Sequence, residues 1–580
     1  MQNRKRITAL LLCLCLLMAL FAACGSTGGS TAASSAAAES AASAAAEPAA
    51  EAEPAQPEAA AEPETAEEPA SAEEAAAEEP AEEEPALEPI EYPLFDEPHA
   101  YTIWLGTAPD LNDVVKNMEE FVIFRELEKV TNVTWESTMV SFMAEAEQFQ
   151  LMVAGGDFTD VVCKAVDNYT GTVDQAIEDD FLIDLVPYID TCMPNLLKWF
   201  HDYPELRKQL TTDAGAIGGF PKIYAAPSDV SAGPQIRADW LNDLGLENPK
   251  TFDELYDVLN AFRDEKGATT PLVIANSSGV QPELLAGYNI NAGFYQVDGE
   301  IRYGIVQPEF KEYVTMMNKW YSEGLINDLF LTNPYQSLLD FNAVLNNEAG
   351  AWYCTAAQMM PWLISSAVDP NFHITGLTAV TKDGSQAHIG EEGSVFDSQM
   401  WSITTVCEDP DVIAKYVDYV YSDDGILLAN YGVEGETFTY VDGVPKLTDL
   451  VLNNPNYSYG AAMNIFVCDR MTPAPFVIDE NRVRADYIQD QLDAIEVWNN
   501  SNDGLYNIPR AGVSMNVDES QEYTDLYADI ETYQDENIVK FVVGDKSLDE
   551  FDDFVATLKQ MGIERCVELE QAAYDRYLEG

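Results

Sequence analysis

IRADWLNDLGLENPKTFDELYDVLNAF, residues 236–262, carries the densest run of mutually consistent local signals in the chain. It reads as two short helices. Asp239 is placed to cap the first, DWLNDLG, by accepting from backbone N–H groups one turn ahead, and Gly245 ends it where a left-handed residue is wanted. Pro249 stiffens the approach to a second start. Thr251-Phe-Asp-Glu254 has the spacing of a capping box, in which each end residue satisfies the other's backbone N–H. Phe252, Leu255, Leu259 and Phe262 then recur at intervals of three and four, which marks one buried stripe. The pair is therefore expected to be amphipathic and docked.

Working outward from it, the body opens with YTIWLG from Tyr101 as a strand, continues with a helix carrying Phe121, Phe124, Leu127 and Val130, and resumes strand character at Val133. Strand, helix, strand opens an α/β lobe. Trp104 falls at the carboxyl end of the first strand on this reading, where open sheets place ligands, and a core position is the competing reading. Gly155 and Gly156 permit a tight reversal, leaving Asp157 either to cap the turn or to face a cleft. Residues 217–226 read as a β-turn-β unit preparing a crossing into a second lobe, with a hinge near 224–236. Asp298-Gly299 and Asp442-Gly443 mark hairpin tips. In 349–362 a small-residue strand turns into a helix. Trp352, Tyr353 and Trp362 form an aromatic cluster that suits either a sugar cleft, where flat rings pack on the C–H faces of pyranoses, or a hinge core. A strand over 395–406 bears Trp401, and Glu434 sits in the run YGVEGETFTY.

The ends differ from the body. Arg4, Lys5 and Arg6, an apolar run from Ile7 to Leu20 and Phe-Ala-Ala-Cys24 read as a secretory signal, 1–23, ending in a lipobox-like site that makes Cys24 the acylated first residue. Ordinary cleavage after small residues is the alternative. Residues 24–98 are nearly all Ala, Glu, Pro and Ser, and cannot bury a core. Repelling glutamates and frequent prolines predict an extended, disordered tether on the order of 200 Å when fully stretched. The formal net charge is −70. Setting aside the tether and signal leaves the body at about −50, which excludes nucleic acid as a partner and disfavours anionic sugars unless the cleft is locally basic. The cysteines of the body are widely spaced and read as buried free thiols.

The segment IRADWLNDLGLENPKTFDELYDVLNAFRDEKG resembles the Arg-x-Asp-Trp-Leu turn, Leu-Gly-Leu and Pro-x-Thr-capped helix of family 1 extracellular solute-binding proteins, the capture subunits of bacterial ABC importers. LMVAGGDFTD, the Gly-x-Glu-Gly of 432–435 and the closing run from Asn537 to Tyr577 are similar to that family as well. The resemblance implies an α/β, two-lobed periplasmic-binding-protein type 2 fold with several hinge crossings. On it the body divides into lobe 1 at 99–228 and 351–403 and lobe 2 at 229–350 and 404–580. It also implies a lipid-anchored monomer on the outer membrane face that captures a small ligand, most often an oligosaccharide, and hands it to ABC permease subunits. Trp104, Asp157, Arg237, Asp239, Trp240, Trp352, Tyr353, Trp401 and Glu434 are the expected ligand-binding residues, with no cofactor and no metal.

No catalytic constellation stands out: there is no G-x-S-x-G, H-E-x-x-H, complete P-loop or G-x-G-x-x-G. Residues 499–510 imitate a calcium loop but end in Arg510 where an acid is required, and 263–271 lack alternating oxygen ligands. An extracellular glycoside hydrolase, a surface adhesin or sensor, and a peptide ligand remain the rival readings.

Overall fold

The computed structural model describes residues 87–579 apart from 112–113, 275–278, 327, 332–340, 357–358, 486 and 510. Cys24, the signal and nearly all of the tether expectation lie outside the described residues.

The helix Phe252–Lys266 begins in a complete capping box between Thr251 and Glu254 and ends on Gly267 in the left-handed region. Leu255, Leu259 and Phe262 are fully buried. This stripe packs beneath a four-stranded sheet, in the order Ile374–Gly376, Ala232–Arg237, Ala349–Thr355 and Thr270–Leu272. Gly350 makes the approach possible, because a Cβ there would stand 2.1 Å from the Phe262 ring. A second, six-stranded sheet runs Val477–Ile478, Phe220–Tyr224, Phe396–Ile403, Val161–Cys163, His99–Thr107 and Val133–Ser141. Its strands are parallel except Phe396–Ile403, which is antiparallel to both neighbours. Each sheet has its own core: Ile103, Trp401, Tyr416 and Val477 in one lobe, Phe262, Trp320, Phe541 and Phe554 in the other.

The strand pairing corrects the expected division of the second half. Ala349–Thr355 and Ile374–Gly376 hydrogen-bond to Ala232–Arg237, so 351–392 stays in the second lobe. Phe396–Ile403 then joins the first sheet, and the chain packs into the first core as far as Ile478 rather than leaving it at 404. It returns before the helix Gln489–Asn499, whose Ala494, Ile495 and Trp498 bury against Trp352. The lobes are thus joined by three crossings, near 225–231, 390–395 and 479–488. Both Asp-Gly hairpins form, with Asp298, Gly299, Asp442 and Gly443 at positive φ as a mirror-image turn requires.

Asp239 departs from its expected role. The first helix, Ala238–Leu244, has no side-chain cap. Asp239 instead grips the wholly buried Arg237 in a two-point ion pair at 2.8 and 2.6 Å. Arg237 also donates to Asn347 Oδ1 at 2.7 Å, and its guanidinium lies between the Trp240 and Phe372 rings, 4.2 and 4.3 Å from their centroids. Removing the cation alone would strand a poorly hydrated carboxylate. Arg237→Ala is therefore expected to cost about 3–5 kcal/mol in urea unfolding.

In the first lobe, Asp418 caps the helix Pro194–Asp202 from a distance, accepting the N–H groups of Asn195 and Leu196 and the Asn195 amide. Burial pushes its carboxyl up to about 6, with these hydrogen bonds pulling the other way. The folded value lies above the unfolded one of about 3.9, so its contribution to stability is greatest below that value and falls as pH rises through about 6. Unfolding of Asp418→Asn between pH 4 and 7 should show a correspondingly flatter loss of stability on the alkaline side than the parent chain.

Candidate binding cleft at the hinge

The first crossing sets the geometry. Where the chain enters the second sheet, Gly233 passes flush against Trp498, whose ring atoms would lie 2.5 Å from any Cβ at that position. The indole Nε1 donates to Pro234 O at 2.9 Å, locking the ring to the same strand. Beside this contact opens a cavity of about 420 Å³, within the range of small-ligand sites. Apolar Ala232, Pro234, Leu377 and Ile389 make part of its wall. Its polar side comprises Tyr353, Gln281, Glu283, Asn291, Glu391, Ser501, Asn502 and Asn507.

These groups are held by each other and by backbone. Tyr353 Oη stands 3.5 Å from Glu391 Oε1, and burial pushes this hydroxyl well above the ordinary tyrosine range, leaving it a donor. Asn502 Nδ2 donates to Glu391 O at 3.1 Å, and Asn507 Nδ2 to Gly390 O at 2.8 Å. Gln281 donates its amide to Glu283, whose carboxyl is pushed up by burial. The wall thus offers donors and acceptors at set positions next to an apolar surface, the combination that recognises hydroxylated rings.

A second cavity, about 190 Å³, lies in the first lobe. It sits at the carboxyl ends of the parallel strands His99–Thr107, Val133–Ser141 and Val161–Cys163, the edge where open sheets bind ligands. Gly106, the exposed Phe142, Lys164, Lys222, Asp397 and Arg470 line it. Asp397 accepts from Tyr224 Oη and Ser398 Oγ, both at 2.8 Å. Arg470 Nη1 donates to Ser231 Oγ at 2.9 Å, joining the first-lobe cavity to the crossing segment that borders the second-lobe one.

Of the nine expected binding residues, only Tyr353 lines either cavity. Trp104 lies inside its strand, which continues to Thr107, and packs edge-on against Phe149 in a buried cluster. Trp401 is buried in the first core, stacked on Phe124 and Tyr416, with Nε1 donating to Pro473 O at 2.7 Å. Trp240 and Arg237 belong to the buried cluster with Asp239 described above. Asp157 is exposed after a helix that ends on Gly156 in the left-handed region, and Glu434 is exposed in the turn closed by Gly435 N–H to Phe438 O. Trp362, from the same aromatic cluster, is exposed and meets Phe341 edge-on.

The residues that do line the cavities left weaker traces. Lys222 stands within the apolar strand FPKIY, a place for lysine only if its charge is used or satisfied, and that was the available signal for the first-lobe cavity. Ser501, Asn502 and Asn507 fall in the stretch that imitates a calcium loop. The polar pattern there was real, and it serves the cavity wall.

Trp352 is 1% exposed, donates Nε1 to Gln235 Oε1 at 3.0 Å and stacks on Phe372. Trp352→Ala should therefore act first on folding, lowering stability by about 3–5 kcal/mol in thermal or urea melts.

Comparison with known proteins agrees with this architecture. A sequence profile described as "Bacterial extracellular solute-binding protein" matches residues 108–426, more than half of the chain. The fructooligosaccharide ABC transporter substrate-binding protein FusA of Streptococcus pneumoniae is 24% identical over 497 residues, spanning 80% of this chain and 88% of that protein. Lipoprotein LipO of Bacillus subtilis is 23% identical over 352 residues, 58% of this chain and 67% of that one. Among solved structures, the alginate-binding protein AlgQ2 without calcium ion superposes with a TM-score of 0.66 at 24% identity, covering 83% of this chain and 99% of the other. With two sheets joined by three crossings around a cleft, and a profile match through most of both lobes, the chain belongs to the bacterial extracellular solute-binding proteins.

Proposed function

We propose that this protein captures an oligosaccharide between its lobes and delivers it to an ABC permease. The observation that carries the reading is the second-lobe cavity of about 420 Å³, where the Tyr353 ring, apolar strand residues and the amides of Asn291, Asn502 and Asn507 converge beside the hinge. Relatives described as fructooligosaccharide- and alginate-binding support a carbohydrate as the ligand. Closure follows from ligand binding more tightly to the closed arrangement than to the open one. Lys222 supports a binding role: it is buried at the first-lobe cavity and its ammonium is held by backbone carbonyls instead of facing a reaction centre. On this reading the protein binds without turnover. The lipobox-like sequence at Cys24, together with a relative described as a lipoprotein, supports anchoring to the outer face of the membrane, with the Glu- and Pro-rich 24–98 as spacer.

The test is calorimetric titration of the full chain with a panel of neutral and acidic oligosaccharides and with peptides, followed by analysis of the mixture for cleavage. A saturable, unhydrolysed oligosaccharide is the expected result, with Tyr353→Ala weakening it about ten-fold or more in a protein that remains folded at the titration temperature. Binding of peptides alone, or release of shortened sugars, would overturn the proposal.

A further inference from the structure

Charge is distributed unevenly between the two cavities. The chain has 30 basic and 100 acidic residues, yet the first-lobe cavity is lined by three cations, Lys164, Lys222 and Arg470, against one acid, Asp397. The second-lobe cavity reverses this, with Glu283 and Glu391 and no basic residue in its lining. We propose that the first-lobe end of the cleft is a carboxylate subsite, so that the captured oligosaccharide carries a uronate unit there and an uncharged unit in the second-lobe cavity. This rests on the oligosaccharide reading above and narrows it to acidic glycans.

Four residues of the first-lobe cavity support the assignment. Lys164 directly follows the strand Val161–Cys163 and holds a left-handed backbone at φ 52°, a conformation costly for a side-chain-bearing residue and retained where the surroundings enforce it. Its N–H is tied to Met400 O at 2.7 Å, so its position at the strand end is set by the sheet. Its nearest carboxylate, on Glu145, is 3.9 Å away, beyond a hydrogen bond, and burial pushes that carboxyl upward. Lys222 is 1% exposed and donates to Arg470 O and Thr472 O at 2.9 and 3.1 Å, with no carboxylate within ion-pair distance among the described residues. Burial pulls its pKa down, opposed chiefly by Asp397, so a buried cation lacks a close counter-charge that a bound carboxylate would supply. Arg470, whose Nη2 stands 4.0 Å from Glu480 Oε1, ties the same pocket to Ser231 in the crossing segment, and its planar fork matches a carboxylate. The exposed Phe142, which also lies 5.3 Å from the Lys164 ammonium, supplies a flat face for the ring that bears the charge.

The lining of the second-lobe cavity disfavours a second uronate. A carboxylate entering beside Glu283 and Glu391 would meet two acids and no cation, whereas hydroxyls find the second N–H of Asn502 and the acceptors of the glutamates. A strongly negative surface and an acidic ligand are compatible because the exposed charges are screened over about 8 Å at physiological salt, while the pocket acts at contact.

The experiment is calorimetric titration of the full-length chain, at about 0.15 M salt, with short oligomers of galacturonate, glucuronate and mannuronate and with their carboxyl-reduced counterparts. The best acidic oligomer is expected to bind at least about ten-fold tighter than its reduced counterpart, and in Lys164→Gln that ratio should fall toward one. A reduced oligomer that binds as well as or better than its acidic parent overturns the carboxylate subsite while leaving oligosaccharide capture intact, as does an acid preference that Lys164→Gln leaves unchanged. Failure of every carbohydrate to bind overturns both.

Discussion

The buried guanidinium of Arg237 is the constraint on which the second lobe and its approach to the cleft depend. A cation without exposure must be fully satisfied, and here two oxygens of Asp239, the Asn347 amide oxygen and two aromatic faces do so. Arg237 ends the strand Ala232–Arg237, and its partners come from the helix that follows it, the turn before Ala349–Thr355 and the segment before Ile374–Gly376. One side chain therefore specifies how four chain segments meet. Because the strand it ends also begins at the first hinge crossing, the register of Gly233 and Pro234 against Trp498 follows from the same anchor.

From that anchor the cleft takes its asymmetry. The second-lobe wall is built from strand ends and loops rich in amides and carboxylates, while the first-lobe wall is built from the carboxyl ends of parallel strands, where Lys164 emerges, and from Lys222 inside the strand Phe220–Tyr224. Arg470 and Ser231 connect them across the hinge. In a protein with so large an acidic excess, cations placed in a pocket instead of on the surface change what the protein can hold without changing its net charge.

Local grammar was readable to a large extent. The Thr251 capping box, the Gly156 reversal, the Gly245 helix end and the two Asp-Gly turns depend on interactions within a few residues, and each forms as the spacing predicts. Asp239 shows the limit. A helix-start acid can cap the helix or pair with a cation, and only the burial of Arg237 two residues earlier decides between them. The tryptophans show it more strongly. Trp104, Trp352 and Trp401 have the aromatic character of a sugar platform, but their indoles are buried in cores, and Trp352 and Trp401 find hydrogen-bond partners there, in Gln235 and Pro473. Aromatic residue type states what a side chain can pack against, and not which face of a sheet it lies on.

The sequence by itself determined the α/β character, the periodic faces and turns, the acidic balance and the resemblance that points to a solute-binding protein, because these arise from residue type and short-range spacing. The tertiary structure alone decided that 351–392 remains with the second lobe and that 404–478 returns to the first, since strand partners are chosen by long-range hydrogen bonding and core fit. It alone brought Lys164, Lys222 and Arg470, which lie far apart in the chain, to one pocket. No spacing encodes that convergence; it follows from three crossings between two sheets and the strand ends that they leave facing the cleft.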